Sequence, residues 1–227
     1  MIKSDFEKFA ASRGISSISL DKYKKSNVIP QALINPYIVE ERTGNPLQID
    51  VFSKLFTNRI LFLGTEIDSD VANIINSQLL YLQMDNERLP INLYLNTPGG
   101  SIIDGLSIYD TMQWIKPGVH TTCIGLAASM GSILLTAGEK GERSALPHSR
   151  ILIHQPMSGI RPYTQASDWA IANDELQKSK RELFTILAEC SGNDYEKMVK
   201  LGDRDFWMNA QEAVDLGIID KVITRQE

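Results

Sequence analysis

A serine stands at the centre of the small, apolar stretch GLAASMGSIL, residues 125–134. Ser129 directly precedes Met130 and Gly131, where the residue pattern changes from that of a strand to that of a helix. A hydroxyl at the start of a helix becomes a nucleophile when a base takes its proton and nearby N–H groups hold an oxyanion. The alternative is a small buried serine that bonds a backbone carbonyl in tight helix packing.

Histidine is the usual base, and the chain offers three candidates. His154 ends the apolar strand pattern RILIH, and reactive groups in open α/β sheets lie at strand ends. His120 begins a predicted strand and His148 follows Pro147 in a turn, so we interpret both as surface or turn residues. The pattern therefore favours His154.

A base of this kind needs a carboxylate that orients it. In the segment LGDRDFWMNA, Asp203 and Asp205 flank Arg204 just before an aromatic pair, and we expect a carboxylate there to be partly buried. An ordinary loop salt bridge with Arg204 is the alternative.

A second turn with chemical potential holds Gly99 and Gly100, between the strand pattern INLYL and a helix. The first amides of a helix lack internal acceptors and favour an anion. Glycines let a substrate backbone approach those amides, although a plain tight turn explains the pair equally well.

The elements that must position these residues alternate along the chain. Apolar periodicity predicts strands and helices in turn, which indicates an α/β fold. The predicted strands cover 59–64, 91–95, 119–125, 150–154 and 218–223, and the predicted helices cover 68–82, 103–115, 127–138, 167–190, 193–201 and a short stretch after 209. The long helix 167–190 is expected to project or to form an interface.

Composition narrows the class of protein. With 227 residues, we expect one domain and a small appendage, and the weakly periodic residues 1 to about 35 resemble a detachable leader. A net charge of −5 without a basic stripe argues against nucleic acid. Two distant cysteines indicate neither zinc nor disulfides, and no apolar run is long enough for a membrane span. We therefore expect a cytoplasmic protein with no metal, no cofactor and no membrane partner.

Four long blocks carry a family resemblance: NTPGGSIIDGLSIYDTMQWIKP, GLAASMGSILLTAGEKGERSALPHSR, ILIHQPMSG and DRDFWMNAQEAVDLGIID. Together they closely resemble the ClpP-type serine peptidases, from about residue 36 to the C-terminus. The resemblance implies Ser129 as nucleophile, His154 as general base and Asp205 as orienting acid. It also implies an oxyanion hole formed by the backbone N–H groups of Gly100 and Met130.

The resemblance further implies a crotonase-like spiral of ββα units with a projecting handle helix. It also implies that the subunits form two stacked heptameric rings, a tetradecamer that encloses a chamber. Unfolded polypeptides would be degraded in this chamber after an ATP-driven AAA+ unfoldase feeds them in. This chain has no G-x-x-x-x-G-K-[ST] motif, which agrees with ATP binding to that partner. Asp203 and Arg204 would sense contact between rings, and Tyr94 and Trp114 would line the pocket that receives the unfoldase.

The implied organisation is a propeptide over 1–31, a pore-lining segment and first helix over 32–58, and a peptidase domain over 59–227 with its handle at about 157–190. Arg161 and Pro162 depart from the glycine-rich handle strand of relatives, and Asn92 replaces a common aromatic of the unfoldase pocket. The alternatives are a catalytically silent ring scaffold, against which the complete triad argues, and a crotonase-like acyl-CoA enzyme.

Overall fold

The computed structural model describes residues 37–42, 45–159 and 165–225. The chain divides into two compact units, Met1–Val51 and Phe52–Glu227. The described part of the first unit is an antiparallel hairpin of β1 (Tyr37–Arg42) and β2 (Asn45–Asp50). The predicted propeptide and the departures at residues 161 and 162 lie outside the described residues.

The second unit contains the alternating strands and helices. Its strands are β3 (Ile60–Leu63), β4 (Ile91–Thr97), β5 (Val119–Ala128), β6 (Ser144–Ala145), β7 (Arg150–Ile153), β8 (Phe206–Asn209) and β9 (Lys221–Val222). Helix α1 (Val51–Thr57) begins at the border of the units, and the others are α2 (Ser69–Asp85), α3 (Ile102–Trp114), α4 (Met130–Thr136), α5 (Ala166–Ser191), α6 (Tyr195–Leu201) and α7 (Ala210–Asp215).

One sheet in the order β3, β4, β5, β6, β9 organises this unit, and all of these neighbours are parallel. The ten-residue strand β5 changes partner along its length, pairing with β6 near Thr122 and with β7 from Leu126 to Ala128. Strand β8 then pairs antiparallel with β7. This arrangement confirms the predicted α/β class.

Helices pack against the sheet through their apolar residues. In α2, the side chain of Asp68 accepts from the Val71 N–H and caps the helix, and the residues that face the core recur at three- to four-residue spacing. These are Ala72, Ile75, Leu79 and Leu82. In β4, alternate residues point into the core, and Ile91, Leu93 and Leu95 are fully buried. The predicted amphipathic elements therefore form one continuous core.

The long helix α5 has two different halves. Every residue from 166 to 182 is exposed or half-buried, whereas Leu183, Phe184 and Leu187 pack into the core. Its C-terminal half therefore holds the helix on the domain, and its N-terminal half is largely open, as predicted for a projecting or interface element.

A buried ion pair ties the C-terminal segment to the rest. Arg143, with 3% of its side chain exposed, donates from Nε and Nη2 to the two carboxylate oxygens of Asp220, at 2.9 and 2.6 Å. Its Nη1 donates to the carbonyls of Thr136 and Cys190, at the ends of α4 and α5. The hydrogen bonds from the Arg143 side chain, followed by those from the backbone N–H groups of Arg143 and Gly141, lower the pKa of Asp220 from 3.8 to about 2.

Several elements differ from the sequence-based predictions. Strand β5 continues to Ala128 and helix α4 starts only at Met130, because residues 126–128 pair with β7. The sequence pattern does not predict β8, because its four residues are too few to stand out, and among the described strands it pairs with β7 alone. The last strand has two residues. Among the described residues, no helix combines the length and the apolar character that a membrane crossing requires.

Candidate active site

Ser129 lies between β5 and α4 in a strained backbone conformation. Its φ is 55° and its ψ is −123°, a region that residues with a side chain rarely adopt. The Ser129 N–H donates to the Leu152 carbonyl at 3.0 Å, and the Ser129 carbonyl accepts from the Ser132 N–H at 2.9 Å. The hydroxyl does not cap the helix. Backbone bonds on both sides therefore hold the strained turn and leave Oγ available for chemistry.

The glycine turn approaches the start of α4 very closely. A Cβ on Gly99, whose φ is 89°, would lie 2.7 Å from the Ser129 Cβ and 3.0 Å from the Met130 nitrogen. A Cβ on Gly131 would lie 2.7 Å from the Thr97 Cγ2. Side chains at these positions would push the two turns apart. Glycines in both turns therefore allow Ser129 to lie beside the glycine turn.

Gly100 is held by Ile67, which the sequence analysis did not single out. The Ile67 N–H donates to the Gly99 carbonyl and the Ser101 N–H donates to the Ile67 carbonyl, both at 2.8 Å. A Cβ on Gly100 would lie only 2.2 Å from the Ile67 carbonyl oxygen. The role of Ile67 lies in its backbone, so no side-chain pattern could have revealed it.

His154 and Asp205 meet because β7 and β8 are antiparallel. Ile153 pairs with Phe206, so His154 follows the end of one strand and Asp205 precedes the start of the other. His154 Nδ1 lies 3.9 Å from Asp205 Oδ1, beyond hydrogen-bond distance. Only 11% of the His154 side chain is exposed, against 65% of the Asp205 side chain. The expected partial burial of a carboxylate in this segment is wrong for Asp205, which precedes a strand that pairs with β7 alone among the described strands.

Two cavities join these residues. An open cleft of about 480 Å³ is lined by Ser129, His154 and Asp205 together with Gly100. A smaller cavity of about 90 Å³ also reaches Ser129 and His154, Gly100 and Ser132 form part of its wall, and apolar side chains line the rest. They are Ile102, Met130, Ile133, Ile153, Pro156, Met157, Leu183, Phe184 and Leu187. No hydrogen bond joins Ser129 and His154, both of which the structure describes. The cleft therefore brings Ser129, His154 and Asp205 together, but the hydrogen bonds that would link them are not formed.

The other candidate nucleophiles and bases lie elsewhere. His120 Nε2 contacts the Glu139 carboxylate at 3.2 Å, and His148 is exposed in its turn. Burial raises the pKa of the thiols of Cys123 and Cys190, which disfavours the reactive thiolate. No cluster of three or more His, Cys, Asp or Glu residues with metal-binding geometry occurs in the described ranges.

The remaining predicted residues occupy the surface. Arg204 is 92% exposed, and its Nε lies 3.9 Å from an Asp203 oxygen. Tyr94 is half-buried and stacks on Phe62, with ring centroids 5.3 Å apart. Trp114 is 71% exposed and borders a shallow groove whose lining does not include Tyr94. A shared pocket for Tyr94 and Trp114 stays a prediction.

Known proteins match this chain over most of its length. The Clp protease family matches residues 43–226 of the chain. An ATP-dependent Clp protease proteolytic subunit of Bacteroides fragilis (strain YCH46) is 51% identical over 223 residues, covering 98% of this chain and 99% of the relative. The subunit of the same name from Porphyromonas gingivalis is 49% identical, covering 97% of this chain and 98% of the relative. An ATP-dependent Clp protease proteolytic subunit 1 of Prochlorococcus marinus (strain MIT 9312) is 49% identical over 191 residues, 84% of this chain and 97% of the relative.

Proposed function

Because this chain belongs to the Clp protease family, it is a serine peptidase, and we propose that Ser129, His154 and Asp205 are its catalytic triad. The observation that carries this proposal is the strained turn at Ser129. The Ser129 hydroxyl makes no capping hydrogen bond to the helix and lines the same cleft as His154 and Asp205. Strained strand-to-helix turns present nucleophiles in the same way in unrelated hydrolases.

In the proposed reaction, His154 takes the proton of Ser129 Oγ as that oxygen attacks the peptide carbonyl. The backbone N–H groups of Gly100 and Met130 hold the resulting oxyanion, supported by the close approach of the two turns. His154 then gives the proton to the leaving amine, which departs and leaves an acyl-enzyme. Water attacks this ester with His154 again as base, releasing the second product and restoring Ser129.

The apolar cavity beside Ser129 provides the place for a substrate side chain. Its volume of about 90 Å³, against about 480 Å³ for the open cleft, suits one side chain rather than a length of peptide. The apolar lining supports a preference for an apolar residue on the acyl side of the cut bond. Phe184 and Leu187 contribute to it from the buried half of α5.

The separation of 3.9 Å between His154 and Asp205 must close to about 2.8 Å for a charge-assisted hydrogen bond. We assign this step to the stacking of two heptameric rings into a tetradecamer. Asp203 and Arg204 would sense that contact, and the exposure of Arg204 leaves its guanidinium accessible to a second ring. The exposed half of α5 would be the handle that joins the rings.

The names of the relatives imply a Clp ATPase as the partner of this chain. We propose that this ATPase is of the AAA+ class and that it unfolds polypeptides and feeds them into the chamber. We propose that Tyr94 and Trp114 contribute to the docking pocket of this unfoldase. We also propose that residues 1–31 are a propeptide, that 32–58 form the pore-lining segment and first helix, that 59–227 form the peptidase domain, and that the protein acts in the cytoplasm.

A fluorophosphonate probe tests the proposed nucleophile. The full-length chain is expected to gain one adduct at Ser129, located by mass spectrometry of its peptides, whereas Ser129→Ala gains none. Ser77→Ala is the matched control, because the Ser77 hydroxyl donates to the Asn73 carbonyl within α2 and Ser77 lines neither cavity beside Ser129. Equal labelling of Ser129→Ala, or no labelling of the wild type in any oligomeric state, would contradict the assignment.

A further inference from the structure

Gln155, the residue after His154, is bonded on three sides. Its backbone N–H donates to the Gly202 carbonyl at 2.7 Å, and its side-chain Nε2 donates to the Asp203 carbonyl at 2.8 Å. Its Oε1 accepts from Lys180 Nζ at 2.9 Å. Gln155 therefore joins the backbone next to the proposed base, the loop that leads to the proposed acid, and helix α5.

Lys180 determines which way the Gln155 amide points. An ammonium group only donates hydrogen bonds, so it selects the amide oxygen and leaves the NH₂ group for the Asp203 carbonyl. With the amide reversed, two donors would face each other at Lys180 and two acceptors would face each other at Asp203. Lys180 is half-buried on α5, and its partner contact is 25 residues away in sequence.

The loop that leads to Asp205 is anchored at Gly202 by other contacts, and the Gln155 side chain holds its next residue, Asp203. The Gly202 N–H donates to the Met198 carbonyl at 2.9 Å, and a Cβ on Gly202 would lie 2.5 Å from the Phe184 ring. Asp205 lies two residues beyond Asp203. Without the Gln155 side chain, Asp203 is free to shift, and such a shift would carry the Asp205 carboxylate away from the imidazole.

We propose that Lys180 and Gln155 are positioning residues that hold the loop of Asp205 beside His154, at the 3.9 Å from which ring stacking closes the pair. This inference rests on the proposed triad. Neither side chain touches the reacting atoms, and neither lines the apolar cavity or the open cleft beside Ser129. Their loss therefore lowers kcat through the orientation of the base and leaves substrate binding, and with it KM, unaltered.

The test compares Lys180→Met with Lys178→Met in the full-length chain. Lys178 is the matched control because it lies on the same helix and pairs only with Glu175 among the described residues. We expect Lys180→Met to lower kcat for a fluorogenic peptide about 10- to 100-fold, the cost of a misplaced catalytic group. KM, the native mass and the melting temperature stay at the values of the control, and Lys180→Arg restores kcat because it keeps a cationic donor.

The variant Gln155→Glu is a second test of the proposal, and it leaves Lys180 unchanged. The carboxylate still accepts from Lys180 but has no hydrogen to donate to the Asp203 carbonyl, so kcat falls at least as far as in Lys180→Met. Combining the two changes lowers kcat no further than Gln155→Glu alone, because both act through one chain of contacts.

Several results would overturn the proposal: a kcat of Lys180→Met equal to that of Lys178→Met, a raised KM with unchanged kcat, or no recovery in Lys180→Arg. Should Lys180→Met fail to assemble, an unaltered kcat in Gln155→Glu overturns the proposal as well. A wild-type protein that neither cleaves peptides nor reacts at Ser129 refutes the proposed function instead, so the two failures are distinguishable.

Discussion

Replacing Gly100 by alanine tests the close approach on which the proposed oxyanion hole depends. The φ of Gly100 is 153°, and a Cβ would lie 2.2 Å from the Ile67 carbonyl oxygen and 2.7 Å from the Ile67 nitrogen. The first distance is about 1 Å below ordinary contact. The clash is with backbone that belongs to the Ile67 bridge, so no side-chain rotation relieves it. The turn must therefore retreat and take the Gly100 N–H with it.

The size of the effect follows from the length of an oxyanion hydrogen bond. Donors act at 2.7–3.1 Å, so a retreat of about 1 Å removes the Gly100 donor and leaves Met130 alone. Loss of one such donor costs about 100- to 1,000-fold in kcat. Because the donor acts mainly in the transition state, KM for a short peptide should change far less than kcat.

The assay is steady-state cleavage of a fluorogenic peptide by the assembled protein, with melting temperature and native mass measured alongside. Gly64→Ala is the matched control, since a Cβ there meets nothing within 4 Å. If Gly100→Ala assembles like the wild type and keeps the kcat of Gly64→Ala, the assignment of Gly100 as a donor is refuted.

Two further predictions concern the buried ion pair and the surface. Asp220→Asn leaves the buried Arg143 cation without its counter-charge, so it should lower the free energy of unfolding by about 3 kcal/mol. Urea titrations at neutral pH measure this change. Glu142→Gln, the control, removes an exposed carboxylate and should leave the free energy of unfolding unchanged. Because the pKa of Asp220 is lowered in the folded state, its contribution to stability is present above pH 3.8 and is lost as the pH falls toward about 2. Asp220→Asn should therefore make the free energy of unfolding less dependent on pH in this acid range. An unchanged pH dependence would contradict the role of the pair. Trp114→Ser should slow ATP-dependent degradation of a folded substrate in the presence of a Clp ATPase, because an exposed aromatic anchor is lost, while cleavage of short peptides stays at the wild-type rate. Equal slowing of both reactions would refute a docking role for Trp114.

The sequence by itself determined the local features of this protein. Apolar periodicity at spacings of two and of three to four residues depends on near neighbours in the chain, so it indicated the alternating elements and the α/β class. It also placed Ser129 at a strand-to-helix junction and His154 at the end of a strand. The family blocks are likewise local strings, and the comparisons confirm the family that they indicated.

Only the tertiary structure decided how these residues meet. The pairing of β7 with β8 brings Asp205 to 3.9 Å from His154, although 51 positions separate them in the chain, and it leaves the acid exposed rather than partly buried. The Ile67 bridge and the Gln155 contacts depend on backbone atoms that every residue type shares. Residue type therefore carries no signal for them, and strand order together with loop path, which arise from packing across the whole domain, sets their distances.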